Sequence, residues 1–453
     1  MRGRMPIFWT DAQTSYNLKK DLASFRPLLN IPASNNLEID LQVDAVLANL
    51  QDFGTPWLMV FDNYDDPKTF NNIDYFMPSC SHGIILITTR HEDTLKLADF
   101  PMNLPSLLDV DAINLLEVTS TQTDYNENDR AIKTDIVNRL GNHALAIAQA
   151  GSYIQDSKIS FRDFLDVFER RKERIVGDKS DGMNEYRKRL SNNTEVETSM
   201  NVFATFDLSY RQLIDREDKI SDYSADILTL LAFFDSKSVS ERLMESYCTH
   251  DDAQIDIVDS TATPDTSSES QNDASARRTL KPGIFLTHHA EAWDPGHYSD
   301  VLIQLSKLSL TQPFTRHDNN LCSVSLHPLV RDWIRIRTSN INSQQYTTLA
   351  GTCIYRLLDQ TEDPNGYFYI LNLPESQELQ AHLDIHATDR SLLFGMGSVL
   401  EYKIPGEHTG QPELLFGRLA YDNGMYEKAV WWFKLSVEQR IKAFGTLYSN
   451  ISQ

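Results

Sequence analysis

Cysteine is scarce: Cys80, Cys248, Cys322 and Cys353 are the four in 453 residues, and none stands in a C-x-x-C pair. That spacing supports neither a disulfide framework nor a zinc site, and it fits a reducing compartment. The longest largely apolar run, near Ile227–Phe234, falls far short of the ~20 residues that span a bilayer. The first nine residues, Met1 to Trp9, hold no apolar stretch of signal-peptide length, so the reading is a cytoplasmic protein with no membrane partner. Basic charge is also in deficit, with 42 Lys and Arg against 64 Asp and Glu, a net charge of −22. Nucleic acids and anionic membranes are themselves polyanions, so neither suits as the main partner. No Gly-x-Ser-x-Gly elbow and no His-Glu-x-x-His helix occurs, which leaves hydrolase readings without footing.

What is present is enough apolar residue, 41 %, to build packed cores, over a length that suits about three domains. Short apolar runs alternate with helical patterns over residues 1–150, the pattern of an α/β unit with a parallel sheet. Pro6–Trp9 is the first strand candidate, and Asp40–Leu50 has helical spacing. Trp57–Phe61 and Ile84–Thr88 are apolar throughout, as strands covered on both faces are. Asp109–Glu117 and Arg130–Gln155 have apolar residues three and four apart, predicting helices. From Ser160 to Arg337 the pattern is almost wholly helical, with strand plausible only at Cys322–Leu326. Residues 250–276 are rich in Asp, Ser and Thr and hold no Leu, Met, Phe, Tyr or Trp, which predicts a disordered insertion. Helical periodicity resumes beyond Gln344.

Two segments point to chemistry, and a third accompanies them. Trp57-Leu-Met-Val-Phe-Asp62-Asn63 is an apolar strand ending in a carboxylate. α/β sheets bind ligands at the carboxyl ends of their strands, and an acid there holds Mg²⁺ directly or through water. Ile84-Ile-Leu-Ile-Thr88-Thr89-Arg90 ends in two hydroxyls and a guanidinium, a group whose forked donors match phosphate oxygens. Leu140-Gly-Asn-His-Ala-Leu-Ala146 opens an Ala-rich helix and carries no chemistry of its own. Each also has a plain reading when taken alone: a polar strand end, a surface arginine paired to an acid, and ordinary core packing. Arg170-Arg171-Lys172 with Arg174 reads as the exposed face of a helix, and the His288, His289 and His297 group as solvated loop.

In this order, the segments resemble the NB-ARC module of STAND-class nucleotide switches, in particular fungal NLR-like proteins. Phe8–Ala12 is similar to the strand and turn after the family's phosphate-loop helix, Trp57–Pro67 to its Walker B segment and Thr88–Arg90 to its sensor. Leu140–Ala146 is similar to its Gly-Leu-Pro-Leu-Ala segment. Val324-Ser-Leu-His327-Pro-Leu-Val330, followed by Trp333, resembles the end of its winged-helix domain. Gly417, Ala420, Gly424, Tyr426, Ala429 and Phe433 resemble one tetratricopeptide repeat over residues 413–445, with Ser436 where alanine is usual.

The resemblance implies an α/β fold followed by all-α structure. An incomplete P-loop NTPase-type sheet would span 1–125, a helical domain 126–195, a winged-helix-like domain 196–340 and a helical region 341–453. It implies ADP or ATP with Mg²⁺ as ligand, Asp62 holding the ion beside Asn63, Thr89 and Arg90 reading the terminal phosphate, and His327 contacting the β-phosphate of ADP. It also implies protein partners at the repeat and homo-oligomers in the full-length protein.

Three features depart from the family. No Gly-x-x-x-x-Gly-Lys-Ser/Thr and no Gly-Lys dipeptide occurs, so the backbone cradle and lysine that bind phosphates are missing. Ala144 replaces proline. Asn63 follows Asp62 where many hydrolysing relatives carry glutamate, and an amide cannot take a proton from water; Asp65 or Asp66 nearby could serve instead, but the simpler expectation is slow or absent hydrolysis. The expectation is a clipped gene product, ending in one repeat, that binds nucleotide weakly or not at all. The alternative is a nucleotide-independent interaction scaffold built on the helical and repeat portions. The resemblance places the phosphate-loop strand inside the sheet, between its neighbours, so its absence is expected to leave an apolar gap with unpaired backbone groups. Expressed alone, the chain is predicted to be poorly soluble or partly molten over its first 150 residues, and a sharp cooperative melt of that segment would contradict this.

Overall fold

The computed structural model describes residues 5–32, 38–65, 67, 70–89, 92–102, 104–121, 127–177, 181–189, 193–215, 219–248, 293–317, 321–361, 371, 373–394 and 411–451. The predicted insertion at 250–276, His288 and His289, and Arg90 lie outside the described residues. The chain divides into two compact units. One comprises residues 1–103, 369–381 and 409–453, and the other residues 104–368 and 382–408. The fold is mostly helical, with a small parallel sheet of three strands near its start.

In the first unit, strands β1 (Ile7–Asp11), β2 (Trp57–Asp62) and β3 (Gly83–Ile87) lie in that order, all parallel. Register pairs Trp9 with Val60 and Val60 with Leu86, so β2 bonds directly to β3 and the gap expected between the sheet's strands is closed. Alternation sends Phe8, Met59, Phe61, Ile85 and Ile87 to one face, where they meet Leu18 and Leu22 of the helix Ser15–Ser24 and Val43, Val46 and Leu50 of the helix Ile39–Gln51. Each large side chain buried there contributes about 1.5–3 kcal/mol. The opposite face is another matter: Ile7, Trp9, Ile84 and Leu86 are 61, 57, 57 and 48 % exposed. β3 is therefore covered on one face only, contrary to its uniformly apolar sequence. Val60 on the central strand is buried because both neighbouring strands flank it.

The same unit contains an antiparallel helical hairpin, Gln411–Asp422 and Tyr426–Ile451. A Cβ on Gly417 would lie 2.5 Å from the Phe433 ring, so the helices cross where only glycine fits. Phe416 and Trp432 stack edge to face at 5.0 Å, and Gly424 sits in the turn. Met425 in that turn joins a small core with Tyr16, Ala23 and Ile39, and Lys428 lies 5.4 Å from the Tyr16 ring.

The second unit is built from helices and a small antiparallel sheet. The run read as one helix over Arg130–Gln155 is two, Glu127–Arg139 and Ala144–Ser157. Gly141 and Asn142 both have positive φ, 67° and 51°, which ends the first helix and turns the chain before His143 caps the second. Strand β6 (Cys322–Val324) falls where the sequence predicts strand. It pairs with β4 (Val239–Ser240) on one side and β5 (Thr315–Arg316) on the other, two-residue strands too short to leave a periodic signal. Buried Glu241 fixes this region, accepting hydrogen bonds from the Cys322 amide at 2.9 Å and the Trp293 indole at 2.8 Å. All four cysteines are free thiols.

His386, on the helix Leu373–Phe394, is fully buried, and its pKa is pushed down from 6.5 to about 3. Burial is the main cause and the Arg390 charge adds to it, while a hydrogen bond with the Thr347 backbone opposes both. The imidazole stays neutral in the folded state, so below about pH 6.5 protons bind the unfolded chain alone. Its contribution is whole above that value and is lost as pH falls, by up to about 1.4 kcal/mol per pH unit. Urea denaturation between about pH 7 and pH 5 is expected to show a shallower stability loss in His386→Gln than in the parent. Equal slopes would contradict this.

Candidate functional site

The carboxyl ends of β1, β2 and β3 bring three polar side chains to one edge of the sheet. Parallel pairing sets Asp11 beside Asp62 and Phe61 beside Ile87, so the next residue on β3, Thr88, comes level with Asp62. The Thr88 hydroxyl donates to Asp62 Oδ1 at 2.6 Å and accepts from the Asn63 amide N–H at 2.9 Å. Backbone bonds hold both strand ends in place: Thr88 N–H to the Phe61 carbonyl and Tyr64 N–H to the Thr88 carbonyl, each 2.9 Å, and Ala12 N–H to the Asp62 carbonyl at 2.7 Å. Asp62, Asn63, Thr88 and Thr89 are all partly exposed, so the edge is reachable from solvent.

Asn63 turns the chain with φ of 62°, the left-handed region that asparagine tolerates better than other residues with a Cβ. A glutamate at this position would pay that backbone strain. The conformation thus gives a local reason for the amide that the sequence alone offers only as a departure. The side-chain amide of Asn63 reaches Asp62 Oδ2 at 3.5 Å, a long and weak contact that leaves this oxygen with accepting capacity.

Asp11 is 1 % exposed and serves the structure. Its carboxylate accepts from the Asn17 side chain at 2.9 Å and from the Gln13 amide at 3.1 Å, fixing the turn into the helix that Thr14 caps. Thr89 turns its hydroxyl to the Tyr64 carbonyl at 2.6 Å. Among the two threonines, Thr88 is the one that meets Asp62, and its signal in the sequence was its place directly after a strand in register with β2. Sequence reasoning picked out Thr89 and passed over Thr88 and Asp11 as individual residues.

His327 lies in the other unit and caps the helix Pro328–Arg337. Its Nδ1 accepts from the Leu329 amide at 3.2 Å, which places the proton of the neutral ring on Nε2. Pro328 follows at the first helical position, where its missing N–H costs nothing. His143 caps Ala144–Ser157 in the same way, through the Ala146 amide at 3.5 Å, and burial lowers its pKa. Ala144 is therefore at the first turn of a helix, a position that accepts proline readily.

Among the described residues, no three His, Cys, Asp or Glu side chains converge as a metal site. No helix among them is long and apolar enough to cross a membrane. A divalent ion at the sheet edge would have one protein carboxylate, Asp62, and would need water and ligand oxygens for the rest. That donor set fits Mg²⁺, which commonly binds through one or two carboxylates together with phosphates.

No family model matches the chain. It is similar to a nucleotide-binding leucine-rich repeat (NLR)-like protein of Hyaloscypha variabilis, at 23 % identity over 180 residues. The match covers 36 % of this chain and 18 % of that protein's length.

The left-handed turn gives a direct stability test. Asn63→Gly is expected to be neutral or slightly stabilising, and Asn63→Val to cost about 1 kcal/mol or more, read from urea midpoints. A valine variant as stable as the parent would contradict the backbone assignment.

Proposed function

We propose that this chain is part of an NLR-type signalling switch whose ligand is ADP or ATP with Mg²⁺, bound at the carboxyl edge of the parallel sheet. The observation that carries the reading is the Asp62–Thr88 pair, held level by strand register and open to solvent. The similarity to an NLR-like protein supports the signalling role. Asp62 would hold the ion, with Thr88 fixing one carboxylate oxygen and leaving the other, in only a weak contact with Asn63, able to accept. A bound Mg²⁺ would neutralise phosphate charge. Asn63, an amide in a strained turn, supplies no base for water, which suits a switch that keeps its nucleotide better than a motor that turns it over. The phosphate-reading role of Arg90 and the β-phosphate role of His327 rest on the family resemblance alone.

A second reading has its own observation. On the helix Tyr426–Ile451, Val430, Val437 and Ile441 are 50, 56 and 65 % exposed and recur at helical spacing along one stripe. This stripe favours a scaffold that binds a protein partner without nucleotide.

Titration of the full chain with a fluorescent ADP separates the two. The switch reading expects weak, Mg²⁺-dependent binding that Asp62→Ala reduces at least about tenfold, the loss of one charge-assisted contact, with hydrolysis slow or absent. A chain blind to nucleotide at millimolar concentration overturns the nucleotide part and leaves the scaffold.

A further inference from the structure

In a chain with net charge −22, four arginines surround one cleft of the second unit. The cleft, about 500 Å³, is lined by Arg170, Arg171, Arg174 and Arg211, with Tyr153 and Asp215 also on its wall. It lies where the helices Phe161–Val176 and Asn193–Ile214 pack together. Its volume is within the ~300–1,000 Å³ of small-molecule sites.

Helical phase explains how a guanidinium entered the interior. Phe161, Phe164 and Phe168 form the buried stripe of their helix, and Arg171 is the next residue on that stripe. The sequence reads Arg170-Arg171-Lys172 as an exposed face, yet Arg171 is only 7 % exposed. Lys172 points elsewhere, to Glu197 at 3.6 Å. Arg171 pairs with buried Asp207, but Asp207 also serves Arg211 at 3.3 Å, so one carboxylate is shared by two guanidiniums. Arg171 Nε has no hydrogen-bond partner among the described residues. Burial pushes its pKa down to about 10, and the charges of Arg211, Arg174 and Arg337 add to the effect, opposed by Asp215.

A buried, incompletely paired guanidinium among like charges is costly for the folded state. An anion entering the cleft removes that cost. Arg170, Arg174 and Arg211 are exposed at the mouth, so a ligand can reach them without unfolding anything. Guanidinium forks match phosphate oxygens two at a time. Four arginines on the wall of so small a volume, against Asp207 and Asp215, leave an excess of positive charge that calls for several negative charges on a compact ligand. A polyphosphate carries that density, whereas an acidic peptide spreads one charge per side chain.

We propose that this arginine cleft is a binding site for a compact polyphosphate, separate from the sheet edge at Asp62. The site stands apart from the nucleotide reading, because it uses no residue of that edge and requires no Mg²⁺.

The test is calorimetric titration of the full chain with inorganic tripolyphosphate at physiological salt, without Mg²⁺. Saturable binding is expected, weakened at least about tenfold in R170Q/R174Q, since each charge-assisted bond contributes on that scale. Both substituted side chains are exposed, and an unchanged thermal midpoint without ligand will show that the fold is intact. Asp62→Ala is expected to bind tripolyphosphate as the parent does. Absence of saturable binding up to millimolar ligand, binding untouched by R170Q/R174Q, or binding lost in Asp62→Ala would each overturn the proposal. So would a polyglutamate peptide or duplex DNA binding to the cleft more tightly than tripolyphosphate.

Discussion

One hydrogen bond, from the Thr88 hydroxyl to the Asp62 carboxylate, is what the functional reading depends on. It exists because two parallel strands end at the same level, and that level is fixed by register. A slip of one residue would send every side chain of β3 to the opposite face and take Thr88 away from Asp62. The register is in turn held by burial on one face only, where Phe61, Ile85 and Ile87 pack with the helices beneath. Exposed Ile7, Trp9, Ile84 and Leu86 contribute little to it. A partly covered sheet thus carries the polar edge, and the stability of that edge is the stability of a single apolar face.

The helical unit solves a different problem, that of keeping polar and ionisable groups inside a packed interior. Glu241 is satisfied by an amide and an indole, and Arg331 donates to the Ala232 carbonyl at 3.1 Å. His386 remains neutral instead of charging, and Arg171 shares one acid with a neighbour. The first two find hydrogen-bond partners within the interior. The other two leave the fold responsive to a change outside it, protons for His386 and an anion for Arg171.

Much of the sheet was legible because its strands are short, apolar and sharply bounded. Ile7–Asp11, Trp57–Asp62 and Gly83–Ile87 lie within two residues of the expected segments, and the helix Ile39–Gln51 likewise. Periodicity could not show which apolar face goes uncovered, because that depends on what else packs there. It also could not show that the hairpin beginning at Gln411, far along the chain, belongs to the same compact unit as the sheet. At the site, Asp62 was legible from its position at a strand end. Thr88 was passed over because its importance lies in register with another strand, a non-local fact. Arg171 was misread because three adjacent basic residues look like a surface, and only the phase set by Phe164 and Phe168 turns one of them inward.

Hydrogen exchange of the full chain with and without Mg²⁺-ADP tests the central claim most directly. The account predicts slowed exchange at the amides of Asn63, Tyr64 and Thr88, whose bonds tie the two strand ends together, with little change in the hairpin from Gln411 to Ile451. Unchanged exchange at those three amides under saturating nucleotide would contradict it.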